Sequence, residues 1–407
     1  MNNSGYRWLV LEPFVHAVVK CNDVLLYNTL GKTYLLYRQE TQISRIVEQL
    51  IIPENGYVTK ITTAELENPR VGRFIADLRK KFMGDLFDPQ WSASRPFNIV
   101  PVPILKGGTL SMEQQLTEVT FLLNASDLPD LQPYREASRQ FTFPLFGDLP
   151  GKAMPVETIM SVAAQMAALP FASVHFCGTG ILREPLFGAY SGIFRKTSFR
   201  RKYHVNLRHL AVPFTFKPGK NEFLALYVTY PFDQPQFDLL QLVRQTYPEH
   251  PRVEFNFVVQ NNREVDHASE LISGLGIRHA AFKPYLNGEN IAFFEEQVFM
   301  SEADIFGSKP GRNEIFSRTT MNQNDYGRLT IQPNGDVYAN VNDPLLGNLA
   351  SLTVAELVAR ESEGGKSWKR RRMDVEPCTN CLYQFLCPPV SNYETMILRF
   401  NFCHITL

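Results

Sequence analysis

Four cysteines close the chain in the order Cys378, Cys381, Cys387 and Cys403, with the spacing C-x2-C-x5-C-x15-C. Two thiolates separated by two residues can grip one metal centre, because a tight turn brings both sulfurs to one side. Two more thiolates then complete the coordination sphere. Pro388 and Pro389, directly after the third cysteine, stiffen the turn. Zinc and a 4Fe-4S cluster both accept four cysteines, and spacing does not choose between them. The plain alternative is free thiols packed as small hydrophobes.

The remaining residues with reactive side chains are more scattered. Cys177 follows His175 by two positions, and on a strand such residues share a face, so a nucleophile and base pair is conceivable there. A small residue buried at a strand end is the blander reading. The eight histidines show no pair at i and i+4, which argues against a histidine metal site. Glu295 and Glu296 are adjacent, and as neighbours on a turn or helix they are expected to face solvent.

The elements that must position these residues fall into three regions. From the start, Phe14 to Lys20, Val24 to Thr29 and Thr33 to Tyr37 are short β-rich runs separated by Asn22-Asp23 and Gly31, which predicts a three-stranded antiparallel meander. Glu40 to Ile51 carries Ile43, Ile46, Val47 and Leu50 at helical spacing and stops before Pro53. A second helix starts at Pro69 with Val71, Phe74, Ile75, Leu78 and Phe82 as its expected apolar face. Residues 1–88 therefore read as one small domain.

Residues 95–320 alternate strand-like and helical stretches, the pattern of parallel βα units. The expected strands are Glu118 to Leu123, Ser173 to Cys177, Tyr203 to Leu207, Phe223 to Tyr230, Val253 to Val259 and His279 to Lys283. Val156 to Ala168, Asp238 to Thr246 and Glu264 to Ser273 are the expected helices. An α/β barrel, partial or full, fits this better than a doubly wound sheet. Residues 321–407 begin with a hairpin, Arg328 to Ile331 and Asp336 to Tyr338 around Pro333-Asn334-Gly335, then a helix from Thr353 to Arg360, a basic stretch from Lys366 to Arg372 and the cysteines. The basic stretch is expected to be a solvated face, or else a contact for an acidic partner.

Composition fits a globular chain of two or three domains: 407 residues, 44% hydrophobic, with 30 Phe and 16 Tyr to fill several cores. Zero net charge and a pI near 7.1 give no whole-chain attraction to nucleic acid or to an anionic membrane. Met1 to Trp8 lacks secretory-signal features, and no run of about 20 apolar residues could span a bilayer, so the expected location is cytoplasmic.

The hairpin Leu329 to Tyr338, the later Leu346-Gly347-Asn348-Leu349 and the terminal cysteines resemble the SPASM domain of radical SAM peptide-modifying enzymes. That domain holds two auxiliary 4Fe-4S clusters. Asn340 and Ser391 stand where two ligands of the first would be, whereas Cys378, Cys381, Cys387 and Cys403 match all four ligands of the second. The resemblance thus implies one retained 4Fe-4S cluster, with zinc as the alternative.

The central region resembles the radical SAM partial barrel, with Phe176 to Leu186 at its glycine-rich segment and Phe282 to Asn290 at a late strand. The C-x3-C-x2-C motif that binds the S-adenosylmethionine-cleaving cluster is absent: the first strand runs into Asn124 to Pro129, and no cysteine lies between Cys21 and Cys177. The N-terminal segment resembles the RiPP recognition element, a winged-helix-like module that takes a precursor's leader peptide as an added strand. This implies a peptide site on Thr33, Tyr34, Leu35, Leu36 and Tyr37 opposite a helix with Arg73 and Asp77. In order of parts, the chain resembles the pseudo-radical-SAM proteins of Bacteroidales peptide maturation systems. That implies a non-catalytic subunit that binds a leader peptide and assists a radical SAM maturase. An electron relay, a zinc-stabilised scaffold and an independent enzyme using Cys177 are the other readings.

Overall fold

The computed structural model describes residues 5–89, 95, 96, 98, 115–124, 138–143, 153–167, 169, 172–182, 186–195, 197–210, 216–248 and 250–406. The N-terminal part runs β1 (Tyr6–Leu11), β2 (Val15–Lys20), β3 (Asp23–Asn28), β4 (Thr33–Tyr37), α1 (Thr41–Ile51), β5 (Val58–Thr62), α2 (Thr63–Leu66), α3 (Pro69–Lys80) and β6 (Gly84–Phe87). The meander β2-β3-β4 forms as its sequence predicts. A second antiparallel sheet, β5-β1-β6, has no counterpart in the local pattern. Its strands are far apart along the chain, so only tertiary contact can pair them. Leu9, Leu11, Val24, Leu26 and Leu35 bury against Ile43, Val47 and Leu50 of α1 and Val71, Phe74 and Leu78 of α3.

The expected helix face included Phe82, but Phe82 lies beyond the helix with φ 53° and 79% exposure. Met83 N–H reaches Leu78 O at 2.8 Å and Phe82 N–H reaches Arg79 O at 3.1 Å. This is a Schellman closure, in which the left-handed residue turns outward and the next one inward. Met83 is accordingly the buried residue.

The central part contributes β7 (Glu118–Leu122), α4 (Val156–Met166), β8 (Ser173–Cys177), α5 (Leu186–Ile193), β9 (Arg200–Asn206), β10 (Glu222–Val228), α6 (Gln234–Thr246), β11 (Val253–Val259), α7 (Asn262–Gly274) and β12 (Ala280–Pro284). The six strands are parallel and neighbour one another in chain order. Order without reversal is barrel-type winding, and right-handed crossovers put the helices on one face. Val174 and Phe176 of β8 pack with Ile159, Val162 and Phe194 on that face. His175 and Cys177 point to the opposite, concave face. Helix α6 starts earlier than expected, because Asp233 caps it reciprocally with Gln236 and Pro235 is tolerated in a first turn.

The last part adds α8 (Ile291–Gln297), α9 (Glu302–Gly307), α10 (Arg312–Thr320), β13 (Arg328–Ile331), β14 (Asp336–Tyr338), β15 (Gly347–Asn348), α11 (Val354–Gly364) and α12 (Asn392–Ile397). β13 pairs in parallel with β7, and β14 and β15 follow, so the sheet continues to nine strands across the expected boundary at residue 321. Gly335 takes φ 87° in the hairpin turn. Among the described residues no helix is long and apolar enough to cross a membrane.

The basic stretch is a solvated face only in part. Trp368 is buried and donates its indole N–H to Arg328 O, Arg370 pairs with Asp343, and Arg372, largely covered, pairs with the buried Glu394. Arg370 and Arg372 are thus internal fasteners, whereas Lys366 and Lys369 stay exposed as a solvated face would have them, and Arg371 pairs with Asp374 nearby.

Candidate functional site

The four C-terminal cysteines converge. Cys378 opens a single 3-10 turn, and Cys381 N–H closes it by donating to Cys378 O at 2.9 Å. Tyr383 N–H donates to Cys381 Sγ at 3.4 Å, and Cys387 N–H donates to Tyr383 O at 3.0 Å. Cys403 is held from both sides: Met300 N–H donates to Phe402 O at 3.1 Å, and His404 N–H donates to Met300 O at 3.0 Å.

Burial pushes the Cys381 thiol up to about 11 and the Cys387 thiol up to about 12, with the other cysteines adding and Arg372 opposing. Cys378 is raised by burial in the same way, and Cys403 adds to all three. Thiols that suppress one another's ionisation must lie close together. A bound cation would reverse the effect, since metal-bound thiols are deprotonated.

Arg372 binds the segments on which the cysteines sit. Its guanidinium donates to Pro388 O at 2.8 Å, to Pro389 O at 3.4 Å and to Phe400 O at 2.8 Å, and lies 3.8 Å from Cys378 Sγ. It pairs with both oxygens of Glu394, which in turn accepts from Ser391 at the start of α12. Burial by itself would lower the Arg372 pKa, but Glu394 outweighs it and holds the arginine charged. A largely covered cation beside Cys378 would offset negative charge that these thiols acquired on ligation.

Among the described residues no three His, Cys, Asp or Glu side chains form a ready cage for a single metal ion. Cys378 Sγ–H is turned toward Phe400 O at 3.0 Å, so ligation requires that thiol to rotate. The donor set of four sulfurs, with a backbone N–H on one sulfur and a buried arginine beside another, fits a 4Fe-4S cluster or zinc. A cluster would supply one-electron transfer there, whereas zinc would supply rigidity alone.

The expected peptide site is assembled in part. β4 is an edge strand: it pairs with β3 on one side, and among the described residues no strand pairs with the other. Thr33, Leu35 and Tyr37 turn their backbone toward β3, while Tyr34 and Leu36 turn theirs to the open edge. α3 runs alongside. Tyr37 Oη donates to Asp77 Oδ2 at 2.7 Å, which holds the tyrosine proton well above its usual range through burial first and Asp77 second. The charge of Arg73 also reaches Tyr37. Lys81, closing α3, donates to the edge carbonyl of Tyr34.

The cysteine module and this sheet share an interface that no local pattern of residues foretells. Val18, Leu25 and Tyr27, on the face of the meander away from α1 and α3, pack with Cys381, Leu382, Leu386, Ile305 and Ile315. His16 meets Phe385 edge-on at 5.0 Å, and Tyr34 stacks on Phe306 at 3.6 Å. Arg38, next after β4, donates to Tyr383 Oη at 2.6 Å.

The concave face of the parallel sheet is filled. Phe141, Tyr285 and Tyr393 pack over Tyr227 and Val258 of its strands, and Phe143 stacks on His175 at 4.1 Å and on His204 at 4.6 Å. His175 Nδ1 lies 2.9 Å from His204 Nε2, and Glu118 pairs with His175 at 3.4 Å. These histidines are 29 residues apart, so no local spacing could reveal the pair. Burial pushes the Cys177 thiol well up, the opposite of what a nucleophile needs, and His175 bonds to His204 and Glu118. Glu295 and Glu296 are exposed, as expected.

Asn340 donates to Asp325 Oδ1 at 2.9 Å and to Asn392 Oδ1 at 2.8 Å, while Ser391 caps α12. Asn124, after β7, ties that strand to the next loop by accepting from Thr179 N–H at 2.7 Å. Residues 125–130 and 183–185, where the resemblance places parts of two radical SAM segments, lie outside the described residues.

No family model matches the chain, and no curated protein matches it. Among solved structures it is similar to Streptococcus suis SuiB bound to the precursor peptide SuiA, at 9% identity over 97% of this chain and 98% of that one, with a TM-score of 0.45. It is likewise similar to SuiB bound to S-adenosylmethionine, at 10% identity over 97% of both chains and a TM-score of 0.43.

Proposed function

We propose that the chain is a non-catalytic radical SAM homologue that binds the leader of a precursor peptide along β4 and assists a separate radical SAM maturase. On this reading Cys378, Cys381, Cys387 and Cys403 hold one 4Fe-4S cluster. The observation that carries it is the shared interface: the open-edged sheet is seated on the cysteine module, with Arg38 on Tyr383 and Tyr383 N–H on Cys381. A metal centre there would fix the frame that presents a bound peptide.

Three further features support the reading. The sequence lacks the three clustered cysteines that would hold a S-adenosylmethionine-cleaving cluster. Aromatic side chains fill the concave face of the sheet. Asn340 and Ser391, at the positions of two lost ligands, serve an amide network and a helix cap.

The test is titration calorimetry of the iron-loaded chain against candidate precursor peptides of its own genome, with co-purification of a radical SAM maturase co-expressed with it. A chain that neither binds the precursor nor co-purifies with the maturase would end the proposal. Electron paramagnetic resonance with iron and sulfide analysis separates a cluster from zinc. An electron relay is the second reading, favoured by the partial exposure of Cys387 and Cys403, which leaves one side of the site near the surface. A reduction potential that shifts when the maturase is added supports it, and a redox-silent site ends it.

A further inference from the structure

The open edge of β4 faces a stripe of charge on α3, and the spacing of that stripe specifies more than a generic strand. Arg73, Asp77 and Lys81 follow one another at intervals of four, so they share one side of the helix. α3 runs antiparallel to β4: Arg70 pairs with Glu40 beyond the strand's end, Asp77 meets Tyr37, and Lys81 meets Tyr34. Arg73 is exposed and no partner for it is described, whereas Asp77 is engaged by Tyr37. Lys81 covers the outward carbonyl of Tyr34, which a docking strand would need along with that of Leu36. Lysine at an edge is a familiar guard against unwanted pairing.

A peptide N–H that replaces Lys81 at Tyr34 O releases a second cation into the groove. Arg73 and Lys81 lie about 12 Å apart along the helix axis, from a rise of about 1.5 Å per residue. Residues i and i+4 of an extended strand are about 13 Å apart and project to the same face. The residue between them, at i+2, would meet Asp77, where a third carboxylate is repelled.

Resting on the strand-addition reading above, we infer that the site selects an acidic peptide: an extended segment with Asp or Glu at i and i+4 and a non-acidic residue at i+2, its carboxylates bound by Arg73 and Lys81. Lys81 therefore has two roles, edge guard in the free protein and carboxylate ligand in the complex.

The test selects a displayed library of random peptides on the full chain, then measures one enriched sequence as labelled Glu/Glu, Gln/Gln and Lys/Lys versions by fluorescence anisotropy. The Glu/Glu peptide should bind about tenfold more tightly than Gln/Gln, since two exposed ion pairs contribute a few-fold each, and the gap should shrink with salt. Arg73→Glu with Lys81→Glu should reverse the order, so that Lys/Lys becomes the tighter ligand, which a misfolded variant could not do.

Hydrogen exchange at the Leu36 amide reads strand addition independently of charge. Leu36 protection with equal binding of Glu/Glu and Gln/Gln overturns the acidic specificity and leaves strand addition standing. Enriched peptides that leave Leu36 unprotected, or no enrichment at all, overturn both.

Discussion

Replacing Arg372 by Met would test whether one buried arginine fastens the cysteine segments. Arg372 and Glu394 have side chains only 12% and 2% exposed, and the arginine also satisfies carbonyls of Pro388 and Phe400. Removing one partner of a buried pair leaves the other charge uncompensated, which typically costs about 3–5 kcal/mol. Arg372→Met should therefore lower the unfolding free energy of the iron-free chain by about that amount in urea titrations. Iron content after anaerobic loading should fall with it, because the segments bearing Cys378, Cys387 and Cys403 lose their common anchor.

The double variant Arg372→Met with Glu394→Leu removes both charges and should recover most of the loss. It should remain about 1 kcal/mol below the native chain because the Ser391–Glu394 helix cap is also gone. The reasoning is refuted if Arg372→Met costs under about 1 kcal/mol, or if the double variant is as unstable as the sum of the single ones.

Asp325 is buried and its carboxyl is pushed up to about 7, by burial first, with the Asn340 hydrogen bond opposing. Its ordinary value is 3.8, so the folded chain holds this proton the more tightly. The associated stability is present below about pH 4 and lost as pH rises through about 7, in total on the order of 4 kcal/mol. Asp325→Asn should flatten that part of a stability–pH profile. Asn340→Ala leaves Asp325 Oδ1 and Asn392 Oδ1 without the donor they share, though Asn322 still reaches the other oxygen of Asp325, and should cost about 1–3 kcal/mol in chemical denaturation. Tyr383→Phe removes the Arg38 contact and should destabilise the sheet–module interface by about 0.5–1.5 kcal/mol, seen as faster amide exchange in β3 and β4. Chelating the metal from the loaded chain should speed exchange in the same strands while leaving α6 and α7 unchanged, because Val18, Leu25 and Tyr27 rest on the cysteine module and those helices do not.

Local pattern was enough wherever neighbours along the chain decide the structure. The meander, the helix that starts at Pro69, the alternation of six parallel strands with helices and the Gly335 turn all follow from periodicity and turn chemistry. Each depends on residues a few positions apart. The cysteine spacing likewise marked a candidate metal site.

Only the tertiary structure decided what lies opposite what. β1 pairs with β5 and β6, His175 meets His204, Arg38 reaches Tyr383, and the arginines after Trp368 turn inward to acids elsewhere in the chain. Such contacts depend on how surfaces are buried against each other, and no short window of sequence contains both surfaces. That is why four cysteines could be read as a candidate metal site from their spacing, while their seat beneath an open-edged sheet could not.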